Sequence, residues 1–231
     1  MKNRKTGKFI VIDGTDGSGK ATQAKELARR IRKIGRKVKT IDYQRYYNNF
    51  FGKMIGECLI GLNGDWVKLD PKIASVLYAA DRFESSKKIK QWLDDGMIVI
   101  ADRYTSSNQI HQGGKVLNGR KRKEFLDWLE KMEYGIFGIP RPNVIVYLDV
   151  PLEVTRKLME KENKDKKKRY QKGKKDAHES DPRHLERAKK SAMKMIKEKN
   201  NWIKIDCTKN GELLSIKEIH EMVWQKISGY F

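Results

Sequence analysis

The chain has 231 residues, 38% of them hydrophobic, which is enough for one domain with its own core and excludes disorder throughout the chain. Lys and Arg outnumber Asp and Glu by 51 to 30, a formal net charge of +21, which favours an anionic partner such as nucleotide phosphates, nucleic acid or acidic lipid, although solvated lysine-rich faces explain most of the excess. The two distant cysteines, Cys58 and Cys207, support neither a disulfide framework nor a zinc site. The lack of a long apolar run predicts a cytoplasmic protein without a signal peptide or membrane span.

Short apolar runs alternate with stretches of helical periodicity along the chain. The runs are residues 9–12, 38–41, 97–101, 144–150 and 202–205. Each is hydrophobic throughout rather than alternating, which is typical of parallel strands covered by helices on both faces. The pattern predicts a three-layer α/β fold with a mainly parallel, five-stranded sheet.

The first predicted helix spans residues 20–34 and stops at Gly35. Its apolar stripe consists of Ala24, Leu27, Ala28, Ile31 and Ile34. Pro71 begins a second helix.

Two further helix starts are marked nearer the C-terminus. Asp181 and Pro182 predict an N-cap followed by the first helical position. Ser215 and Glu218 have the spacing of a capping box.

The basic run at residues 156–175 is the segment least like the rest of a globular chain. It has eleven lysines and arginines against three acidic residues and shows no apolar periodicity. We predict a mobile surface segment within a single domain that spans residues 1–231.

The sharpest local signal, Gly14-Thr15-Asp16-Gly17-Ser18-Gly19-Lys20, lies between the first predicted strand and the first helix. Glycines in this context let backbone N–H groups point at phosphate oxygens, the helix N-terminus adds its dipole, and the lysine reaches the outer phosphates. The alternative is a glycine-rich turn with a chance lysine. The predicted ATP-binding residues are Gly14, Asp16, Gly17, Ser18, Gly19, Lys20, Ala21 and Thr22.

Ala21 stands where a phosphate loop usually has a hydroxyl that coordinates Mg²⁺. Either Thr22, Asp16 or Asp102 replaces it, or phosphates and water hold most of the ion. We predict Asp16 and Asp102 as the metal ligands.

Asp102-Arg103-Tyr104 follows the third predicted strand, at the sheet edge where open α/β folds bind ligands. Because neighbouring side chains on a strand point to opposite faces, Asp102 and Arg103 should have different roles. Asp102 could orient the metal or the attacking phosphate, and Arg103 could clamp a phosphate. The alternative for this tripeptide is a surface ion pair.

Taken together, the motifs resemble those of the thymidylate kinases, from residue 9 to about residue 188. The matching stretches are residues 9–20, Tyr78-Ala79-Ala80-Asp81-Arg82, Asp102-Arg103-Tyr104, Ser106-Ser107-Asn108-Gln109 and Gln112-Gly113. The resemblance implies a P-loop kinase fold that transfers the γ-phosphoryl of ATP to dTMP with Mg²⁺. It also implies a homodimer through helices such as residues 71–90.

The base-binding residues follow from the resemblance and from helix geometry. Tyr78 and Arg82 are four residues apart and share one helix face, and in the family the ring stacks on thymine while the arginine contacts its carbonyl edge. Without the family, Tyr78 as core and Arg82 as a solvated charge fit equally well. Arg45 follows Gln44, where the family commonly has proline, and would hold the dTMP phosphate. The implied dTMP-binding residues are Asp16, Arg45, Tyr46, Tyr78, Arg82, Arg103, Ser107, Asn108, His111 and Gln112.

The resemblance connects the glycine at position 17 of the phosphate loop with the function of the basic run. Family members with arginine at the position of Gly17 have a transition-state cation in the loop, whereas those with glycine rely on a lid, here residues 156–180. Arg169 is the predicted lid cation, with Lys168 and Lys172 as substitutes. The implied catalytic residues are Lys20, Asp102, Arg103 and Arg169.

His111 replaces a tyrosine that crowds the ribose 2′ position in the family, which leaves the choice between deoxyribose and ribose open. Asp176, His178 and Glu179 fall where the family has residues against the nucleoside.

Two other functions stay open. One is a nucleic-acid-binding P-loop ATPase, disfavoured because Tyr170 is the one aromatic residue within the basic run and no acidic pair follows the third strand. The other is a kinase for a different nucleoside monophosphate.

Overall fold

The computed structural model describes residues 6–64, 66, 68–165 and 181–231, with residues 160–165 described by their backbone. The strands are β1 (Lys8–Gly14), β2 (Val38–Asp42), β3 (Ile98–Asp102), β4 (Val144–Asp149), β5 (Trp202–Asp206), β6 (Thr208–Lys209) and β7 (Glu212–Leu213). The α-helices are α1 (Lys20–Lys33), α2 (Phe50–Leu59), α3 (Pro71–Asp94), α4 (Thr105–Ser107), α5 (Gly119–Glu130), α6 (Leu152–Asp165), α7 (Pro182–Glu198) and α8 (Ile216–Ile227). The π-helical turns are Asn108–Gln112 and Lys131–Ile136, and the 3-10 turns are Gly113–Lys115 and Ser228–Tyr230.

The first five strands form one parallel sheet in the order β2-β3-β1-β4-β5. They are the five strands predicted from the apolar runs, and each ends within two residues of its predicted bounds. The antiparallel hairpin of β6 and β7 was not predicted, because strands of two residues are too short to show a period.

Two hydrophobic cores lie on opposite faces of the sheet, as the side-chain alternation of β1 shows. Ile10 and Ile12 face Leu27 of α1 and the apolar side of α8. Phe9 and Val11 belong to the other core, with side chains of α3 and α7. Because successive side chains of a strand point to opposite faces, burial of all four confirms the predicted three-layer fold.

The helix boundaries agree with the predictions except at the end of α1. The predicted caps are present at Asp181 and Ser215, and the helix predicted to start at Pro71 does so, with Asp70 as its cap. Helix α1 ends at Lys33, and Ile34 is 51% exposed, so its assignment to the buried stripe was wrong. Ile34 lies beyond the last helical residue with a ψ of 16°, and the chain turns at Gly35, which has a φ of 78°, so the Ile34 side chain does not continue the helical stripe.

Helix α6 occupies the first ten residues of the basic run. The sequence analysis found no apolar periodicity in this run and did not predict the helix. Charge dominates the composition of the run, whereas side chains that anchor α6, such as buried Thr155 and half-buried Leu158, lie just before the run or within its first three residues. Residues 166–175 lie outside the described residues. Among the described residues, no helix is both long enough and apolar enough to span a bilayer.

Candidate functional site

The carboxyl ends of β1, β2 and β3 open onto a cavity of about 660 Å³. Its walls are the phosphate loop (residues 14–20), the chain after β2, Tyr78 of α3, the chain after β3, Leu158 of α6, and the segment that joins β7 to α8. Ligands of open α/β folds bind at this edge of the sheet.

The phosphate loop leaves its hydrogen-bond donors available to an anion. Gly17 and Gly19 have φ angles of 76° and 85°, a left-handed backbone that suits glycine. Among the described residues, no side chain caps the N-terminus of α1, and its first turn contains no acidic residue. The buried hydroxyls of Thr15 and Ser18 also have no hydrogen-bond partner there. A bound phosphate would satisfy these groups.

The Lys20 side chain is folded back into the loop. Its ammonium donates a hydrogen bond to the Thr15 carbonyl oxygen at 2.8 Å. Burial, and then the positive charge of Arg103, lower the pKa of Lys20. The carboxylates of Asp16, Asp102 and Asp13 oppose this shift, and the negative charge of an incoming phosphate would stabilise the ammonium further.

Gly17 is in contact with α6. A Cβ atom at this position would lie 2.8 Å from the Thr155 carbonyl oxygen and 2.9 Å from Cγ of Met159. An arginine in the loop is therefore incompatible with this arrangement of α6.

Arg103 lies at the centre of the site. The sequence analysis treated Arg103 as a strand residue. Its φ of 65° is left-handed instead, and β3 ends one residue earlier, at Asp102. Its guanidinium pairs with the Asp16 carboxylate and lies 3.8 Å from Asp13 Oδ1, and its Nη1 lies 3.3 Å from His111 Nε2. Burial opposes the positive charge, but these carboxylates raise the pKa of Arg103. The ion pair of Arg103 with Asp16 is largely buried, which differs from the surface ion pair considered as an alternative.

Asp13 was missed by the sequence analysis. Its carboxylate accepts hydrogen bonds from the Gly14 N–H at 2.8 Å and from the hydroxyls of Ser106 and Ser107 at 2.5 and 3.0 Å. Asp13 thus ties the start of the phosphate loop to the chain after β3. The signal was present, since an aspartate ending a wholly apolar strand is buried only with a partner.

Tyr78 lines the cavity, whereas Arg82 lies beneath it. The Tyr78 hydroxyl accepts a hydrogen bond from Trp66 Nε1 at 3.2 Å. Arg82 is only 1% exposed, and its Nη2 donates to Glu133 Oε1 at 2.8 Å. The alternative of Arg82 as a solvated charge is therefore wrong, and its expected place on the cavity wall beside Tyr78 is not observed. Arg82 Nε has no partner among the described residues.

The orientation of the Asn108 amide is fixed by two acceptors. Its Nδ2 lies 2.7 Å from Glu133 Oε1 and 3.2 Å from the Ser75 carbonyl oxygen. Because both amide hydrogens are engaged, the side-chain oxygen is the group left to accept a hydrogen bond from a ligand. Burial raises the pKa of Glu133, opposed by the charge of Arg82 and by these hydrogen bonds.

The other predicted binding residues differ in position. Tyr46, Ser107, His111 and Gln112 line the cavity. Arg45 does not, and its guanidinium lies 3.6 Å from the Asp42 carboxylate at the cavity rim.

The far end of the cavity is apolar and was not predicted. It is lined by Leu213, Leu214, Ile216 and Ile219, next to Thr22 of α1. The nearby loop at residues 208–210 does not line it.

The site contains oxygen ligands suitable for Mg²⁺ but too few to enclose it. Asp16 and Asp102 line the cavity. Asp102 Oδ1 is buried without a partner among the described residues, and burial raises the pKa of this carboxyl. No group of three or more His, Cys, Asp or Glu side chains that could hold a metal occurs in the described part of the chain. These residues fit an ion held by one or two carboxylates together with phosphates and water.

Several predicted residues lie outside the described part of the chain. They are Lys168, Arg169, Lys172, Asp176, His178 and Glu179.

Comparisons with known proteins all give the same family. A family model for thymidylate kinase matches residues 12–222. A probable thymidylate kinase of Thermococcus gammatolerans is 36% identical over 64% of this chain and 67% of its own length, and the thymidylate kinase of Thermosipho africanus is 27% identical over 92% and 98%. The solved thymidylate kinase of Candida albicans has the same fold, with a TM-score of 0.73 at 21% identity, over 97% of this chain and 92% of its own.

Proposed function

The chain belongs to the thymidylate kinase family, and we propose that its cavity binds ATP and dTMP together and transfers the γ-phosphoryl group to give dTDP and ADP. The family match supports this reaction for the chain as a whole. We assign the reaction to a single domain of residues 1–231, in which residues 156–180 act as the lid.

ATP is placed with its phosphates on the loop and its base at the apolar end. The uncapped N-terminus of α1, the N–H groups of residues 14–20 and Lys20 supply the donors for the phosphates. Leu214 and Ile216, which line the same cavity, supply an apolar surface for adenine.

The choice of acceptor base rests on one observation, the locked amide of Asn108. Its oxygen can accept a hydrogen bond, because both of its amide hydrogens are already donated within the protein. Thymine and uracil present an N–H at N3 that matches this acceptor, whereas N3 of cytosine has no proton and can only accept. Tyr78 on the cavity wall supplies an aromatic surface for the base.

The phosphoryl transfer itself needs positioning and charge neutralisation rather than covalent catalysis. Arg103, held by Asp16, lies between the loop and the acceptor residues and contacts the transferred group. Asp102 and Asp16 would hold Mg²⁺, which when bound would neutralise charge on the phosphates. Arg45 at the rim binds the dTMP phosphate after its side chain leaves Asp42.

The cation that a loop arginine supplies in other family members comes from the lid. Contact between Gly17 and α6 leaves no space for a side chain at position 17 of the loop, which supports this assignment. We assign the role to Arg169, with Lys168 and Lys172 as substitutes.

We also propose a homodimer through α3, working in the cytoplasm. Ile73, Val76 and Phe83 of α3 are 56%, 40% and 49% exposed. Their spacing puts them on one side of the helix, and an apolar stripe of this kind fits a second copy of the chain.

The test is an ADP-release assay with ATP and Mg²⁺ against dTMP, dUMP, UMP, dCMP and AMP, with reactions lacking an acceptor or containing single-stranded DNA as controls. We expect the highest turnover on dTMP, slower turnover on dUMP and almost none on dCMP. The ratio of UMP to dUMP turnover measures how far His111 excludes the 2′-hydroxyl. Turnover on dCMP equal to that on dTMP would contradict the base assignment, and activity with DNA alone would favour the nucleic-acid-dependent ATPase.

A further inference from the structure

Two histidines form a stacked pair behind Arg103. The rings of His111, in the π-helical turn after β3, and His184, on α7, are 5.4 Å apart and inclined by 15°. His111 Nδ1 lies 3.2 Å from His184 Nε2, and His111 Nε2 lies 3.3 Å from Arg103 Nη1. The three side chains are therefore joined in one chain of hydrogen bonds.

The direction of this chain follows from the chemistry of arginine. A guanidinium has donors and no acceptor, so His111 Nε2 must accept and must lack a proton. Neutral His111 then has its proton on Nδ1, and this N–H donates to His184 Nε2. His184 in turn must be neutral with its proton on Nδ1, because its Nε2 accepts.

The surroundings hold His184 in the accepting form. His184 is 5% exposed and lies in the first turn of α7, where its backbone N–H donates to the capping carboxylate of Asp181 at 3.3 Å. Burial and the nearby charge of Lys115 lower its pKa to about 4, so the ring is neutral near neutral pH. Ser191, further along α7, donates to the Gln109 carbonyl oxygen at 2.8 Å and fixes the helix against the turn that contains His111.

We propose that His184 is a positioning residue that fixes the tautomer of His111 and, through it, the orientation of the Arg103 guanidinium towards the transferred phosphate. The part that concerns phosphate rests on the proposed function of Arg103. Arg103 is held by Asp16 on one side, and His111 supplies the second contact that stops the planar group from rotating. Small misplacement of such a group is costly in phosphoryl transfer, because the reaction depends on position.

The first test reads the tautomer directly, by ¹⁵N–¹H correlation NMR of the histidine rings in the ligand-free protein. In the wild type we expect His111 protonated at Nδ1 and bare at Nε2. In His184→Phe, which keeps an aromatic ring for stacking but has no acceptor, only the Arg103 contact still favours the Nδ1–H form, so the Nε2–H form should appear beside it. His184→Gln, which keeps an acceptor near the position of Nε2, should retain the wild-type pattern.

The second test is kinetic and uses the same two variants. His184→Phe should lower kcat about tenfold, the effect of losing one hydrogen bond in the transition state, while KM for ATP changes less than about twofold. His184→Gln should recover kcat to within about threefold of wild type.

Each result bears on the proposal separately from the kinase assignment. A wild-type His111 protonated at Nε2, wild-type kcat in His184→Phe, or equal losses in both variants would overturn it. If His184→Phe does not fold, the tautomers of the wild type and His184→Gln decide the question. Because NMR is done without substrates, its outcome does not depend on which nucleotide the enzyme phosphorylates.

Discussion

Two parts of the site differ in how the protein pairs their buried groups: the phosphate end, which is the phosphate loop with Asp102, and the base end, which is Arg82, Asn108 and Glu133. At the phosphate end, the hydroxyls of Thr15 and Ser18 and one oxygen of Asp102 are buried without partners among the described residues. At the base end, Glu133 Oε1 accepts from both Arg82 and Asn108, although Arg82 Nε and Glu133 Oε2 have no partner among those residues. Buried polar groups without partners are costly, so we expect the phosphate end to gain more stability from its ligand, whereas an internal ion pair stabilises the base end.

This difference predicts different consequences of mutation. The base end is pre-organised, so its residues contribute to the stability of the fold as well as to specificity. The residues of the phosphate end are arranged to bind phosphates, so they contribute to turnover. In the free protein they add little stability or lower it.

The largest effect on stability is expected for Glu133→Leu. The substitution leaves the guanidinium of Arg82 buried without its carboxylate, which should lower the free energy of unfolding by about 3 to 5 kcal/mol. Urea denaturation monitored by circular dichroism measures this. The matched control is Glu130→Leu on the preceding helical turn, because Glu130 is 41% exposed and pairs with exposed Arg141, and we expect a loss below about 1 kcal/mol.

Equal losses in the two variants would show that the base end is not the stabilising element. Glu133→Gln keeps an acceptor oxygen and should fall between the wild type and Glu133→Leu, which provides a folded variant if the leucine variant does not accumulate.

The next prediction concerns the phosphate end, where Lys20→Ala should lower turnover about 10² to 10³ fold. The free energy of unfolding should stay constant or rise, because the Lys20 ammonium is buried beside the positive charge of Arg103 in the free protein. Parallel kinetic and denaturation measurements test both parts. Lys25→Ala, an exposed residue of the same helix, is the control. Turnover within a few-fold of wild type for Lys20→Ala would refute the role assigned to the loop.

The same contrast explains how much of the site could be predicted from the sequence. The phosphate loop is local, so seven consecutive residues between a strand and a helix identify it. The base end is not local, since Glu133 lies 51 residues from Arg82 and 25 from Asn108. In the sequence Glu133 is simply one more acidic residue near a helix end, and only the fold brings it to these partners.

The fold was more predictable than the site because its signals are periodic. Continuous apolar runs identified all five strands of the main sheet, Pro71 identified the start of α3, and capping residues identified the starts of α7 and α8. Prediction failed where side-chain packing decides the outcome. The depth of Arg82 and the contact of Gly17 with α6 depend on long-range packing that no local pattern reports.

A smaller effect is expected from pH at the histidine pair. His184 has a pKa of about 4, below its ordinary value of 6.5, so the unfolded chain binds more protons between these values and stability falls as pH falls through this range. The stabilisation that depends on neutral His184 is fully present above about pH 6.5. Between about pH 7 and pH 4.5 its loss lowers the free energy of unfolding by roughly 2 to 3 kcal/mol. The ionisable groups that face His184 are His111, Lys115, Asp181, Asp16 and Arg187.

The measurement compares wild type with His184→Phe in urea at the two pH values, because phenylalanine cannot titrate. The wild type should lose more stability on acidification than the variant does. The same loss in both proteins would mean that His184 does not resist protonation.

The smallest effect is expected at the N-termini of α1 and α3, the helices that contribute to the phosphate end and the base end respectively. The N-terminus of α3, the helix of Tyr78 and Arg82, is capped by Asp70, whose carboxylate accepts from the N–H groups of Lys72 and Ile73 at 2.8 and 3.4 Å. Asp70→Ala should therefore lower the free energy of unfolding by about 1 kcal/mol. The uncapped N-terminus of α1 is completed by the nucleotide instead, so ATP should raise the melting temperatures of wild type and Asp70→Ala equally, because distant sites act additively. A smaller ATP-induced shift in the variant would mean that the ends are coupled, and that the base end is not organised independently of the phosphates.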